Sequence, residues 1–125
     1  MIQNRVKRIL REGGMALGTY VGGIADPQVV EIIGHAGFDA AFIDLEHTSF
    51  DLRDVQLMVM AAERMGIAPI VRTPGFDPAF ILRLLDMGVQ GLLVGPVVRR
   101  LGDRRIRGDQ LGAHDARLMR GLMMP

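Results

Sequence analysis

Apolar positions along the chain alternate between two periods. From Ile2 to Arg11, residues Ile2, Val6, Ile9 and Leu10 fall at helical spacing among basic side chains, and Gly13-Gly14 stops the run, which predicts a short amphipathic helix. The segment MALGTYV at 15–21 then reads as a strand. Next comes ADPQVVEIIGHAG at 25–37, with Asp26 as N-cap, Pro27 in the first helical position and Gly37 as the stop, so both ends of a helix are marked. The pattern repeats. FDAAFIDL (38–45) is a strand, 51–66 is a helix opened by Asp51 and closed by Gly66, and 67–74 is a strand. A helix over 77–88 reuses the Asp-Pro start and Gly stop, and 89–97 is a further strand. The methionines at 58, 60 and 65 fit the packed face of the helix over 51–66.

Strands of nearly continuous apolar residues, each followed by a helix, predict an α/β fold with a parallel sheet and right-handed crossovers. Two architectures fit the order: a doubly wound sheet and a (β/α)8 barrel. A complete barrel takes about 250 residues, so a chain of 125 residues supplies about half of one. The polar strand ends favour the barrel. Asp44, Glu46 and His47 end the second strand, Arg72 lies near the end of the third and Gly95-Pro96 ends the fourth. Barrel enzymes assemble their sites on that face, although open α/β sheets also use their carboxyl ends. The expected fold is the first half of a TIM-type barrel with an N-terminal helix.

Composition narrows the class. At 49% hydrophobic, the chain has the content of one globular domain and no sign of disorder. It has no cysteine, so disulfides, thiolate metal sites and thiol nucleophiles are excluded. The charged N-terminus lacks the apolar core of a signal peptide, and no apolar run approaches the roughly 20 residues that span a bilayer. A soluble, cytoplasmic protein without a membrane partner is expected. The net charge of +1 conceals an asymmetry: residues 1–98 carry 8 Lys+Arg against 11 Asp+Glu, whereas 99–125 carry 7 Arg, 3 Asp and neither Lys nor Glu.

The candidate chemistry sits in AAFIDLEHTSFDL, residues 40–52. In an extended strand Asp44 and Glu46 share a face with Phe42, and two acids on an apolar strand need a partner, a metal or solvent. His47 follows where the strand gives way to a loop. An Asp able to hold an imidazole tautomer, three residues from a His that titrates near neutrality, is a general acid/base pair. The alternative is that these residues cap the next helix or face solvent, which Asp51 weakens by doing the capping itself. Arg72, in the apolar strand PIVRTP, needs an anion. Either a ligand carboxylate or an ion pair with Asp44 or Glu46 answers that need, and both place it beside the second strand. His35 reads as structural, near the end of its helix, and His114 lies in the anomalous tail. The Gly-rich segments GGIAD and LGTYVGG match neither the dinucleotide nor the P-loop spacing.

Taken together, GHAGFDAAFIDLEH, PIVRTPGFDPAFILRLLDMGVQGLLVGPV and the helix-strand opening resemble the HpcH/HpaI aldolase family, the class II pyruvate aldolases, from about residue 3 to residue 97. The resemblance implies that His47 is the catalytic acid/base, that Asp44 is the aspartate paired with it, and that Arg72 binds the pyruvate carboxylate and keto oxygen. Glu46 corresponds to the motif's glutamate, behind the metal's direct ligands. The implied reaction is reversible aldol cleavage of a 4-hydroxy-2-oxo acid into pyruvate and an aldehyde, both small molecules. The implied cofactor is a divalent metal (Mg, Mn or Co), bound in the family through a Glu and an Asp on later strands.

Beyond residue 97 the resemblance ends. The family continues with a helix rich in Ala and Glu and a Y-P-P-x-G-x-R-G region, whereas 98–125 is rich in Arg, Gly and Asp. Such a composition is what a high-GC gene gives when read out of frame, so the expected organisation is a partial aldolase-type barrel over 1–97 and a frameshifted or truncated tail over 98–125. A basic arm on nucleic acid is a weaker alternative, since no reading module accompanies it and Lys is absent, and a solvated tail without a role is another. A half-barrel has two open sheet edges and an uncovered interior. It is expected to form a homo-oligomer if folded, and to be inactive alone. A non-catalytic self-associating or partner-binding half-barrel is the competing functional class.

Overall fold

The computed structural model describes residues 4–94. Four helices alternate with four strands: α1 (Arg5–Arg11), β1 (Gly18–Val21), α2 (Pro27–His35), β2 (Ala40–Asp44), α3 (Leu52–Met65), β3 (Ala68–Thr73), α4 (Pro78–Asp86) and β4 (Gly91–Val94). The three crossover helices start where the sequence marks them. Asp26, Asp51 and Asp77 each accept backbone N–H bonds of the first helical turn. Asp51 and Asp54 form a reciprocal capping box. Gly66 ends α3 in the left-handed conformation, φ 67°, which a Cβ would strain.

The sheet is parallel throughout, with order β1-β2-β3-β4. A doubly wound sheet reverses its strand order part-way, whereas sequential parallel strands are the start of a (β/α)8 barrel. Strand order therefore decides between the two expected architectures.

The register assigns each strand residue to a face. Val21, Ala41, Ile43, Val71 and Leu92 meet Val30 and Ile33 of α2, Val55, Met58 and Val59 of α3 and Leu84 of α4 in one buried cluster. The opposite face, which lines a barrel's interior, is thinner: Ala40, Ala68 and Ile70 pack with Phe42, Leu93 and Val6 of α1. Helix α1 thus covers the amino ends of the strands. Asn4 Nδ2 donates to the Gln90 carbonyl at 2.9 Å, and Arg5 Nε donates to Asp39 at 2.7 Å. The second Asp39 oxygen accepts from the Leu17 amide at 3.0 Å. That bond, with Arg5, holds the Asp39 carboxyl below its ordinary range against the opposing effect of burial.

Several expected boundaries shift. The strand expected over 15–21 begins at Gly18, because Leu17 spends its amide on the Asp39 side chain and Met15 and Leu17 stay exposed. The strand expected to include Leu45 ends at Asp44, so Glu46 stands on a turn and not in a strand. Met58 is fully buried and Met65 packs against the core, but Met60 is 55% exposed. Positions 58 and 65 share a helix face and position 60 lies on another, which corrects the expected packing of all three. Among the described residues, no helix is long and apolar enough to cross a membrane. Gly95-Pro96, the tail over 98–125 and His114 lie outside the described residues.

Candidate active site

At the carboxyl end of β2 the chain turns sharply, and Asp44 directs the turn. Its Oδ1 accepts the backbone N–H groups of Glu46 (2.9 Å) and His47 (3.3 Å), an Asx turn in which a side chain replaces the next ladder bond. The Thr48 hydroxyl donates to the Asp44 carbonyl and closes the same turn. Register pairs Asp44 with Arg72 on β3. Arg72 Nε donates to Asp44 Oδ1 at 3.0 Å and Nη2 donates to Oδ2 at 2.5 Å, a two-point guanidinium–carboxylate fork. Asp44 is 5% exposed. The Arg72 fork, aided by the two backbone amides, outweighs burial and lowers its carboxyl to about 2. The same fork raises the Arg72 guanidinium further above its ordinary range.

Glu46 approaches the same Arg72 nitrogen that serves Asp44 Oδ1. Its Oε2 is 3.3 Å from Arg72 Nε and 3.6 Å from His47 Nε2. One carboxylate oxygen therefore stands between the guanidinium and the imidazole. The His47 side chain is 66% exposed, where a bound molecule can reach it.

All four expected site residues come together at one strand end. Asp44 meets His47 through its backbone amide, and Glu46 is the carboxylate whose oxygen lies 3.6 Å from the imidazole. The Arg72 fork and two amides occupy the Asp44 oxygens. Both ion pairs weighed for Arg72, with Asp44 and with Glu46, are formed. His35 ends α2 in an exposed position away from this cluster.

Tyr20 was missed. Its ring lies 5.3 Å from the Arg72 guanidinium carbon and stacks on Phe42 at 5.2 Å. Period-2 alternation on β1 could have placed it on the Phe42 face, but only register sets it beside Arg72.

The sequence matches the model of the HpcH/HpaI aldolase/citrate lyase family over residues 17–102, past the Val97 boundary expected from the motifs. The chain belongs to this family. It is 40% identical over 93 residues to a hydroxypyruvate/pyruvate aldolase of Deinococcus radiodurans, a match over 74% of this chain and 33% of the relative. A pyruvate aldolase of Rhizobium etli is 38% identical over 73% of this chain and 35% of its own. Among solved structures, the HpcH/HpaI aldolase of Desulfitobacterium hafniense superposes with a TM-score of 0.69 at 32% identity, over 72% of this chain and 35% of that one. The chain spans about a third of the length of the relatives it matches. Its fold is a partial TIM-type barrel of the kind these aldolases carry.

The family implies a divalent metal. Among the described residues, no group of three His, Cys, Asp or Glu comes together to hold one. Asp44 and Glu46 are already engaged with Arg72. The described residues do not by themselves fit a metal site.

Proposed function

We propose that the cluster at the ends of β2 and β3 is one wall of a site for reversible aldol cleavage of 4-hydroxy-2-oxo acids. The supporting observation is Arg72, a guanidinium clamped by Asp44 on an apolar strand beside an exposed imidazole. Among the described residues, its Nη1 makes no hydrogen bond, which leaves donors for a substrate carboxylate or oxo oxygen.

In this reading a base takes the proton of the C4 hydroxyl, and that role is assigned to His47. The C3–C4 bond breaks, its electron pair moves into the C2–C3 bond, and the C2 oxo oxygen takes the negative charge. An aldehyde leaves and the enolate of pyruvate remains. Arg72 faces the enolate's charge, and its fork with Asp44 sets its position before the reaction, so little reorganisation is needed. Protonation at C3 by the imidazolium gives pyruvate and restores the base. These steps name only the residues of this wall, and none is routed through a metal.

The test is exchange of pyruvate methyl protons into deuterated water, followed by NMR with Mg, Mn or Co supplied. Exchange that disappears in His47→Ala is the expected result. No exchange with any of these ions, or equal exchange in His47→Ala, overturns the reading.

A second reading, association through the interior face of the sheet, is favoured by Tyr20, which lies on that face and, among the described residues, is 53% exposed. Concentration-dependent assembly in sedimentation, without exchange, is the result it expects.

A further inference from the structure

The guanidinium of Arg72 is held along one edge by Asp44, at Nε and Nη2, with Glu46 near the same Nε. An edge fork fixes where the planar group sits, but the plane can still tilt about the line of the two carboxylate oxygens. Tilting swings Nη1, the nitrogen that the proposed reaction offers to the substrate. The face of the group meets Tyr20, whose ring centroid lies 5.3 Å from Cζ. Strand order is β1-β2-β3, so the arginine of β3 reaches across β2 to a ring on β1. The Arg72 side chain is 26% exposed, and a cation over an aromatic face gains more there than at an open surface. The Tyr20 ring is itself propped. Register sets it opposite Phe42, and the two rings stack with centroids 5.2 Å apart and planes 25° apart. The Phe42 ring lies over Gly18, where a Cβ would run into Phe42 Cε2 and stand 3.1 Å from Cδ2.

We infer that Tyr20 is a positioning residue for Arg72: its ring, stacked on a Phe42 ring that reclines over Gly18, covers one face of the guanidinium while Asp44 holds the edge, and the two together aim Nη1. Phe42 packs with Ala40, Ala68 and Ile70, so the platform is anchored in the apolar cluster of the same sheet face. Tyr20 is different. Among the described residues it is 53% exposed, so filling a core does not account for an aromatic ring at this position. Gly18 contributes by lacking a side chain, since the space beside β1 is where the Phe42 ring lies. The task of Nη1 rests on the reading of Arg72 as the partner of the substrate carboxylate, but the orientation of the guanidinium is measurable without any ligand.

The experiment is proton–nitrogen NMR of the full chain, read at the Arg72 Nε–H, whose bond to Asp44 slows its exchange with water. Arg72→Lys assigns the signal by removing it. A proton over an aromatic face is displaced upfield by the ring current. Tyr20→Leu is expected to abolish that displacement, and Tyr20→Phe to keep it. Gly18→Ala reaches Arg72 only through the two rings and is expected to move the signal as well; Phe42→Leu is read if Gly18→Ala does not fold. Pyruvate is then titrated calorimetrically into the same proteins. Binding is expected to weaken about fivefold in Tyr20→Leu and to stay near the native value in Tyr20→Phe, a rescue that a role for the hydroxyl does not give. An Arg72 signal that keeps its native position in folded Tyr20→Leu overturns the inference, and so does one that moves equally in Tyr20→Phe. A signal unmoved by Gly18→Ala and by Phe42→Leu overturns the support assigned to Phe42. A native chain that binds no pyruvate counts against the proposed reaction, and the Arg72 signal then decides the Tyr20 assignment alone.

Discussion

Removing the charge of Asp44 isolates the strand-end fork. In Asp44→Asn the shape is kept, but an amide N–H₂ or a neutral oxygen now faces the guanidinium. The native carboxyl sits at about 2 instead of an ordinary 3.8. At about 1.4 kcal/mol per pH unit, that difference is about 2 kcal/mol of folding free energy at neutral pH. Glu46 stays within 3.3 Å of Arg72 and keeps its charge partly met, so the loss stays near 2 kcal/mol and below the 3–5 kcal/mol of roughly fully buried pairs. With a urea m-value of about 1 kcal/mol/M for a domain this small, the midpoint falls by about 2 M at pH 7. The pH dependence carries the stronger test. A carboxyl lowered by folding contributes its stability fully above the ordinary carboxyl range near pH 4 and loses it as pH falls through about 2. The asparagine does not titrate. Urea midpoints of the native chain and the variant, followed by far-UV circular dichroism, are therefore expected to converge between pH 5 and about pH 2. A gap that stays constant over that range refutes the charge pairing and assigns the cost to packing.

Three further outcomes follow from the same geometry. A Cβ on Gly34 of α2 would lie 2.7 Å from Met65 Cβ, an atom tied to the α3 backbone, so the helices must part. Gly34→Ala is expected to destabilise by about 1–2 kcal/mol in thermal unfolding, although alanine is the better helix former; a gain in Tm contradicts the close approach. Asp51→Ala removes one half of the capping box on α3 and should cost about 1 kcal/mol in urea unfolding, with Asp51→Ser recovering most of it. Arg72→Lys cannot hold Asp44, Glu46 and a ligand carboxylate with one ammonium, and is expected to weaken pyruvate binding about tenfold in calorimetric titration; unchanged binding speaks against Arg72 as the carboxylate partner.

Much of this protein was legible in the sequence because local rules and global fold agree. Asp26-Pro27, Asp51 and Asp77-Pro78 mark helix starts whose caps form as the chemistry requires. The glycines at 37, 66 and 88 adopt the positive φ that stops a helix. Hydrophobic runs bounded by these signals could only be buried strands, and their alternation with helices called for parallel pairing. The carboxylates, the histidine and the arginine were legible too, because charged residues at the end of an apolar strand are costly without a partner.

What the sequence left open is what depends on register and on competition for the same atoms. Spacing along one strand cannot say that Asp44 lies opposite Arg72, since that pairing joins residues 28 apart in the chain. It cannot say which of two nearby acids wins the guanidinium, since the answer depends on the turn amides that converge on Asp44 Oδ1. For the same reason spacing could not say which carboxylate lies nearer the imidazole, where the structure has Glu46 Oε2 at 3.6 Å from Nε2. Tyr20 and the choice of a sequential sheet over a doubly wound one also waited on strand order. Sequence determined which elements form and which residues carry charge to their ends. Tertiary structure decided which charges meet, because a hydrogen bond is settled by distances of a few tenths of an ångström between strands that only the folded sheet brings side by side.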